Sequence, residues 1–136
     1  MLGVLGTLTV AQLVRFKHEN PPVTGEIVAP PAVMEVLRRA CYDCHSNQTV
    51  WPWYSQVAPA SWLVHRDVVV GRKHLNFSEW NSLPPEKQKR KRRGTAREVN
   101  EGEMPPWFYL PLHRNARLSD ADKKILSDWA AAGETG

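Results

Sequence analysis

The chain has 136 residues and a mass of 15.5 kDa, enough for one hydrophobic core and too little for two. Its 42% hydrophobic and 24% charged residues exclude a disordered chain and a polytopic membrane protein. The net charge of +4 is local: seven of the 18 basic residues lie in residues 87–97, a run without an acid, and the rest of the chain is acidic on balance. Such a run reads first as a solvated helix face and second as a docking patch for an acidic partner or anionic lipid; no nucleic-acid-binding module accompanies it.

Residues 1–14, MLGVLGTLTVAQLV, carry no charge and precede Arg15, Lys17 and His18. They are shorter than the roughly 20 residues a spanning helix needs, and neither a basic n-region nor a cleavage site marks them as a signal peptide. The expectation is an anchor-like segment over residues 1–20, the remnant of a signal anchor, with a proline-containing linker over 21–30 and a globular domain over 31–136. An interfacial helix, or one buried against a partner subunit, is the alternative.

Eleven prolines against eight glycines predict short elements joined by stiff loops. Pro31 suits a first helical turn, and Val33, Met34, Val36, Leu37 and Ala40 then recur at helical spacing up to Cys41. Residues 47–59 are aromatic and broken by Pro52 and Pro59, which predicts a structured loop. A second helix is expected from Ala60 to about Gly71, with Trp62, Leu63, Val69 and Val70 facing inward. A turn with Ser78 as cap follows, then a third helix from Pro84 or Pro85 to about Asn100. In the last helix Ser119 caps, Asp122 stands in the first turn, Ala121, Ile125, Leu126 and Trp129 form one stripe, and Gly133 ends it. No segment alternates as a strand does, so the fold class is all-α.

The chemistry lies in Cys41-Tyr42-Asp43-Cys44-His45. Two thiols separated by two residues can each add across a vinyl group of a haem, and the adjacent histidine can supply an axial imidazole. Three other readings compete. A structural zinc site wants four ligands, and these are the only two cysteines; a thioredoxin-like dithiol wants a strand and a βαβ context; a disulfide would close a very small loop. Gly102-Glu103-Met104-Pro105-Pro106 favours the haem, because Met104, 59 residues beyond His45, sits in a stiff non-helical segment and carries a thioether able to ligate iron. Met34 reads as core. His65 and His74 are rival ligands, and His113 reads as structural.

These motifs resemble the haem-binding domain family of small monohaem c-type cytochromes. The resemblance runs through Ala40 to Asn47, Trp51-Pro52-Trp53-Tyr54, Ala58-Pro59 with Ser61-Trp62-Leu63, Gly71-Arg72, Leu75-Asn76-Phe77-Ser78-Glu79-Trp80, Gly102 to Pro106, Tyr109, His113, Ala116 and Leu118-Ser119. It implies a cytochrome c-like helical domain around one haem c, covalently held through Cys41 and Cys44, with His45 and Met104 as the iron ligands. In such a fold Val33, Val36 and Leu37 would meet Ile125, Leu126 and Trp129. Trp51, Trp53, Trp62 and Trp107 would shield the ring, and Arg72 would pair with a propionate.

The function implied is one-electron transfer without catalysis, between redox partner proteins or within a membrane electron-transfer complex, on the periplasmic side of the bacterial cytoplasmic membrane. The alternatives are an accessory haem subunit of a larger complex and a haem sensor or enzyme with an open distal face.

Overall fold

The computed structural model describes residues 2–133; Met1 and residues 134–136, the outer ends of the expected anchor and domain, lie outside them. Among the described residues every regular element is helical. Helix α1 (Leu2–Ala11) precedes α2 (Pro31–Ala40), the single-turn α3 (Tyr42–His45), α4 (Ala60–His74), α5 (Pro85–Asn100) and α6 (Asp120–Ala132). Short 3-10 turns occupy Trp53–Gln56, Phe77–Ser82 and Arg114–Ala116.

The apolar spacing of α2 and α6 brings them together as expected. Val33, Val36 and Leu37 join Leu126 and Trp129 in one core with Ile27, Tyr42, Phe77, Trp80 and Val99, and Ile125 packs at its edge. Ala121, expected in the α6 stripe, is exposed, and Ala130 is buried instead. The start of α6 is fixed by a reciprocal cap: the Ser119 hydroxyl accepts the Asp122 N–H at 3.2 Å, and Asp122 Oδ2 accepts the Ser119 N–H at 2.8 Å. Arg39, in the last turn of α2, reaches Asp122 Oδ1 at 2.6 Å and ties the two helices.

That Arg39 hydrogen bond, with those from Ser119, holds the Asp122 carboxyl at about 2, below its ordinary 3.8. The unfolded chain therefore binds the proton more readily. The stabilisation is complete above pH 4 and is lost as the pH falls towards 2. Asp122→Asn is expected to be less stable than the parent near neutrality and nearly equal to it at pH 2, as read from denaturant midpoints at both pH values.

The α4 helix departs from its expected orientation. Trp62, Leu63 and Val69 are 39%, 42% and 48% exposed, and the residues turned inward are Ser61, Val68 and Gly71. The closest approach of α4 to α3 is at Gly71, whose face of the helix is thereby turned inward. The turn after α4 is capped by Asn76, whose side chain accepts the Ser78 N–H at 3.0 Å; Ser78, expected as the cap, is buried and accepts the Asn47 N–H at 2.9 Å.

At the N-terminal end the expected anchor is not supported. Helix α1 has ten residues, and no helix among the described residues is long and apolar enough to cross a membrane. Gln12 accepts the Ala58 N–H and donates to the Ala58 carbonyl, joining this end to the domain's own loop. The stretch expected as a linker is also bonded in. Thr24 and Gly25 donate to the Ser78 carbonyl, Ile27 donates to the Phe77 carbonyl, and the Ile27 side chain is in the core.

Candidate functional site

Helix α3 is one turn long, so its residues divide between two surroundings. Tyr42 enters the core, stacks on Phe77 at 5.7 Å and donates its hydroxyl to Glu26 at 3.0 Å. Cys41, Asp43, Cys44 and His45 line a cavity of about 900 Å³, large for a cofactor pocket. Its other walls come from α4 through Val70 and Gly71, from α5 through residues 90–99, and from the loop carrying Met104, Pro105, Pro106 and Tyr109.

The imidazole of His45 is oriented by backbone. Nδ1 lies 3.0 Å from the carbonyl oxygens of both Gly71 and Leu75, two acceptors, so Nδ1 carries the proton. Nε2 is left as the lone-pair nitrogen. Burial lowers the affinity of the ring for a second proton, which keeps it neutral and able to bind a metal. Glycine at position 71 is a steric requirement, because a Cβ there would lie 2.4 Å from the Cys44 carbonyl oxygen. The carbonyl that holds His45 thus belongs to the residue whose missing side chain lets α4 approach α3.

Both cysteines are free thiols, and burial pushes each up to about 12. They remain protonated at neutral pH, unlike a reactive dithiol. No group of three or more histidine, cysteine or acidic side chains able to hold a metal ion occurs among the described residues. This disfavours the zinc reading.

Met104 lines the cavity beyond Gly102, whose φ of +79° suits glycine, and the N–H groups of Glu103 and Met104 both donate to the Glu98 carbonyl at the end of α5. The same loop is fastened to α3 through Tyr109, whose hydroxyl donates to Asp43 Oδ2 at 2.7 Å, while Asp43 Oδ1 accepts the Val50 N–H at 3.0 Å. Burial, followed by the bond to Asp43, raises the Tyr109 phenol and keeps it protonated. His113 stacks on Tyr109 at 3.8 Å and lies 2.6 Å from the Tyr54 hydroxyl, a structural position. Of the rival ligands, His65 stacks on Phe16 away from the cavity, whereas exposed His74 borders it.

Cys41, Cys44, His45 and Met104 are therefore brought to one cavity. Trp51, Trp53, Trp62 and Arg72 are not. Trp51 stacks on His18 at 4.4 Å, Trp53 is 75% exposed against Tyr54, and Trp62 and Trp107 lie partly or largely in solvent, so the expected wall of indoles is corrected. The six tryptophans include Trp80 and Trp129 in the core, where Arg92 lies over both rings. Arg72 donates to the Ser46 and Glu19 carbonyls, Asn20 and Thr49, which makes it a brace between chain segments and not a cavity group.

The residues that sequence reasoning missed are Gly71, the Leu75 carbonyl, the Asp43–Tyr109 bond and the basic wall of α5. A glycine inside a helical pattern was the available signal for the first, and the three-to-four spacing of Arg90, Arg93 and Arg97 for the last.

The family model described as haem-binding domain matches residues 4–132. No match was found among curated proteins or solved structures.

Proposed function

The chain belongs to the haem-binding domain family, and from that premise we propose that it is a monohaem c-type cytochrome that carries single electrons between redox partner proteins on the periplasmic side of a bacterial membrane. The observation that carries this reading is His45, whose Nδ1–H is held by two carbonyls so that Nε2 remains a neutral donor, next to two protonated thiols on the same cavity wall. The fit to a haem rests on that donor set, the cavity's size and its largely apolar walls.

When bound, the haem supplies an iron centre that gains and loses one electron. The remaining tasks fall to the chain. Cys41 and Cys44 would hold the ring by thioether bonds, His45 would be the proximal ligand, and the carbonyls of Gly71 and Leu75 keep its ring from turning and increase its basicity. Met104 would be the second ligand, and a thioether there raises the reduction potential. Val70, Leu75, Phe77, Pro105 and Pro106 line the cavity and would exclude water from the bound group, while the Tyr109–Asp43 bond holds the Met104 loop against α3. No substrate is transformed, which makes the protein a carrier and not an enzyme.

Met104→Ala tests the reading. The ferric holoprotein is expected to lose the weak charge-transfer band that a thioether gives at the red end of the visible spectrum, and its potential to fall. A spectrum unchanged in Met104→Ala but altered in His74→Ala transfers the ligand role to His74. Unchanged spectra in both variants, with ready carbon monoxide binding by the ferrous form, overturn the carrier reading in favour of an open distal face.

A further inference from the structure

We propose that the cavity face of α5 is a carboxylate clamp: Arg90, Lys91 and Arg93 receive the two propionate groups on one edge of the haem ring. The proposal rests on the haem reading above and assigns a role to the basic run, which its composition alone marks as a solvated face or a docking patch.

The run is not one surface. Arg90, Arg93 and Arg97 recur at three- and four-residue spacing and share a side of the helix, and all three, with Lys91, line the cavity. Arg92 faces the other way, over Trp80 and Trp129. Gly94 lies on the cavity face, and a Cβ there would meet nothing within 4 Å, so the wall has room beside the arginines. A glycine within a 16-residue helix weakens it relative to alanine, and no packing contact accounts for one at this position.

The charges elsewhere on the cavity wall leave this face as the anion site. Asp43 is engaged by Tyr109 and the Val50 N–H, and Glu98 by Arg97, which also faces Glu101 at 3.9 Å. Asp67, across the cavity on α4, has its carboxyl raised by burial and offers no attraction to an anion. Lys91 is held against α5's neighbour by donating to the His74 carbonyl. Arg72, the other arginine near α3, is occupied by four chain acceptors. A ring that is apolar except for two carboxylates on one edge matches a largely apolar cavity whose Lys and Arg residues all lie on one helix, and guanidinium groups bind carboxylates through two parallel hydrogen bonds.

Cations held against the propionates keep these acids ionised and favour the ferrous state. In the holoprotein, Arg90→Gln/Arg93→Gln is therefore expected to lower the midpoint potential, and the pH at which the potential begins to change is expected to rise by about one unit or more as the propionates lose their partners. Arg90→Lys/Arg93→Lys, which keeps the charge, should restore most of both. Haem content per chain and helix content, measured on the same samples, separate these effects from misfolding. If potential and pH profile are unchanged in the fully loaded glutamine variant, the clamp is overturned while the haem reading stands. The salt dependence of binding to an acidic partner would then be the property to lose. A chain purified from a haem-attaching host without any haem overturns both.

Discussion

Denatured holoprotein extracted with acidified acetone is expected to keep its haem on the polypeptide, with an intact mass one haem above that of the chain, whereas Cys41→Ala/Cys44→Ala gives up all of it. Thioether bonds survive unfolding, and coordination by His45 does not. The two thiols stand at the junction of α2 and α3, on the wall of the cavity that His45 also lines, and burial keeps both protonated until they react. Each single variant should retain haem through the remaining sulfur. Complete release from the parent protein would leave a haem held by coordination alone and overturn the c-type assignment.

Gly71→Ala is expected to be the most damaging one-atom addition in the chain. Its methyl carbon would lie 2.4 Å from the Cys44 carbonyl oxygen, closer than atoms can pack, and 3.2 Å from Cys44 Cβ. Either α4 or α3 must move. Forced overpacking of this kind costs about 1–3 kcal/mol. Movement of α4 also takes the Gly71 and Leu75 carbonyls from the one His45 Nδ1–H they share, and loss of that hydrogen bond adds about 1 kcal/mol. Denaturant titration of the holoprotein should show a total loss of roughly 3 kcal/mol, with a shifted absorption spectrum from the reoriented imidazole. Gly94→Ala is the control, because its new carbon meets nothing within 4 Å. Equal midpoints for Gly71→Ala and the parent would show that the two helices can separate without cost.

The elements legible in the sequence are those whose neighbours are also apolar. Periodicity finds α2 and α6 because Leu37 and Leu126 are buried by one another's helices, and it finds the cap at Ser119 because capping is decided within four residues. It misplaces α4 because the approach to α3 is set by absence of bulk at Gly71, and the large residues Trp62 and Leu63 are left half exposed. Residues 21–30 read as a linker because the segment has no helical or alternating period: it is held by backbone bonds to Phe77 and Ser78, by the side-chain bonds to Glu26 and by Ile27 alone in the core. The convergence of Cys41, Cys44, His45 and Met104 on one cavity is anticipated by motif chemistry alone. The arginine wall is not, since a charge on a helix face looks the same in sequence whether it meets water or a cavity. The indoles mislead for a related reason: proximity in sequence to a ligating motif says nothing about which side of a loop a ring occupies, and Trp51 and Trp53 fall on the far side.

Helix α3 has a consequence for how the protein unfolds. Within one turn it sends Tyr42 into the core against Phe77 and presents its neighbours Cys41, Asp43, Cys44 and His45 to the cavity. So short a helix has no stability of its own, and it persists only while both sides hold. Loosening the core releases the cavity side, and disturbing that side frees Tyr42. A haem bound there would therefore belong with the core to a single cooperative unit, stabilising the hydrophobic interior both through this four-residue turn and through Phe77 and Val99, which line the cavity from the core side.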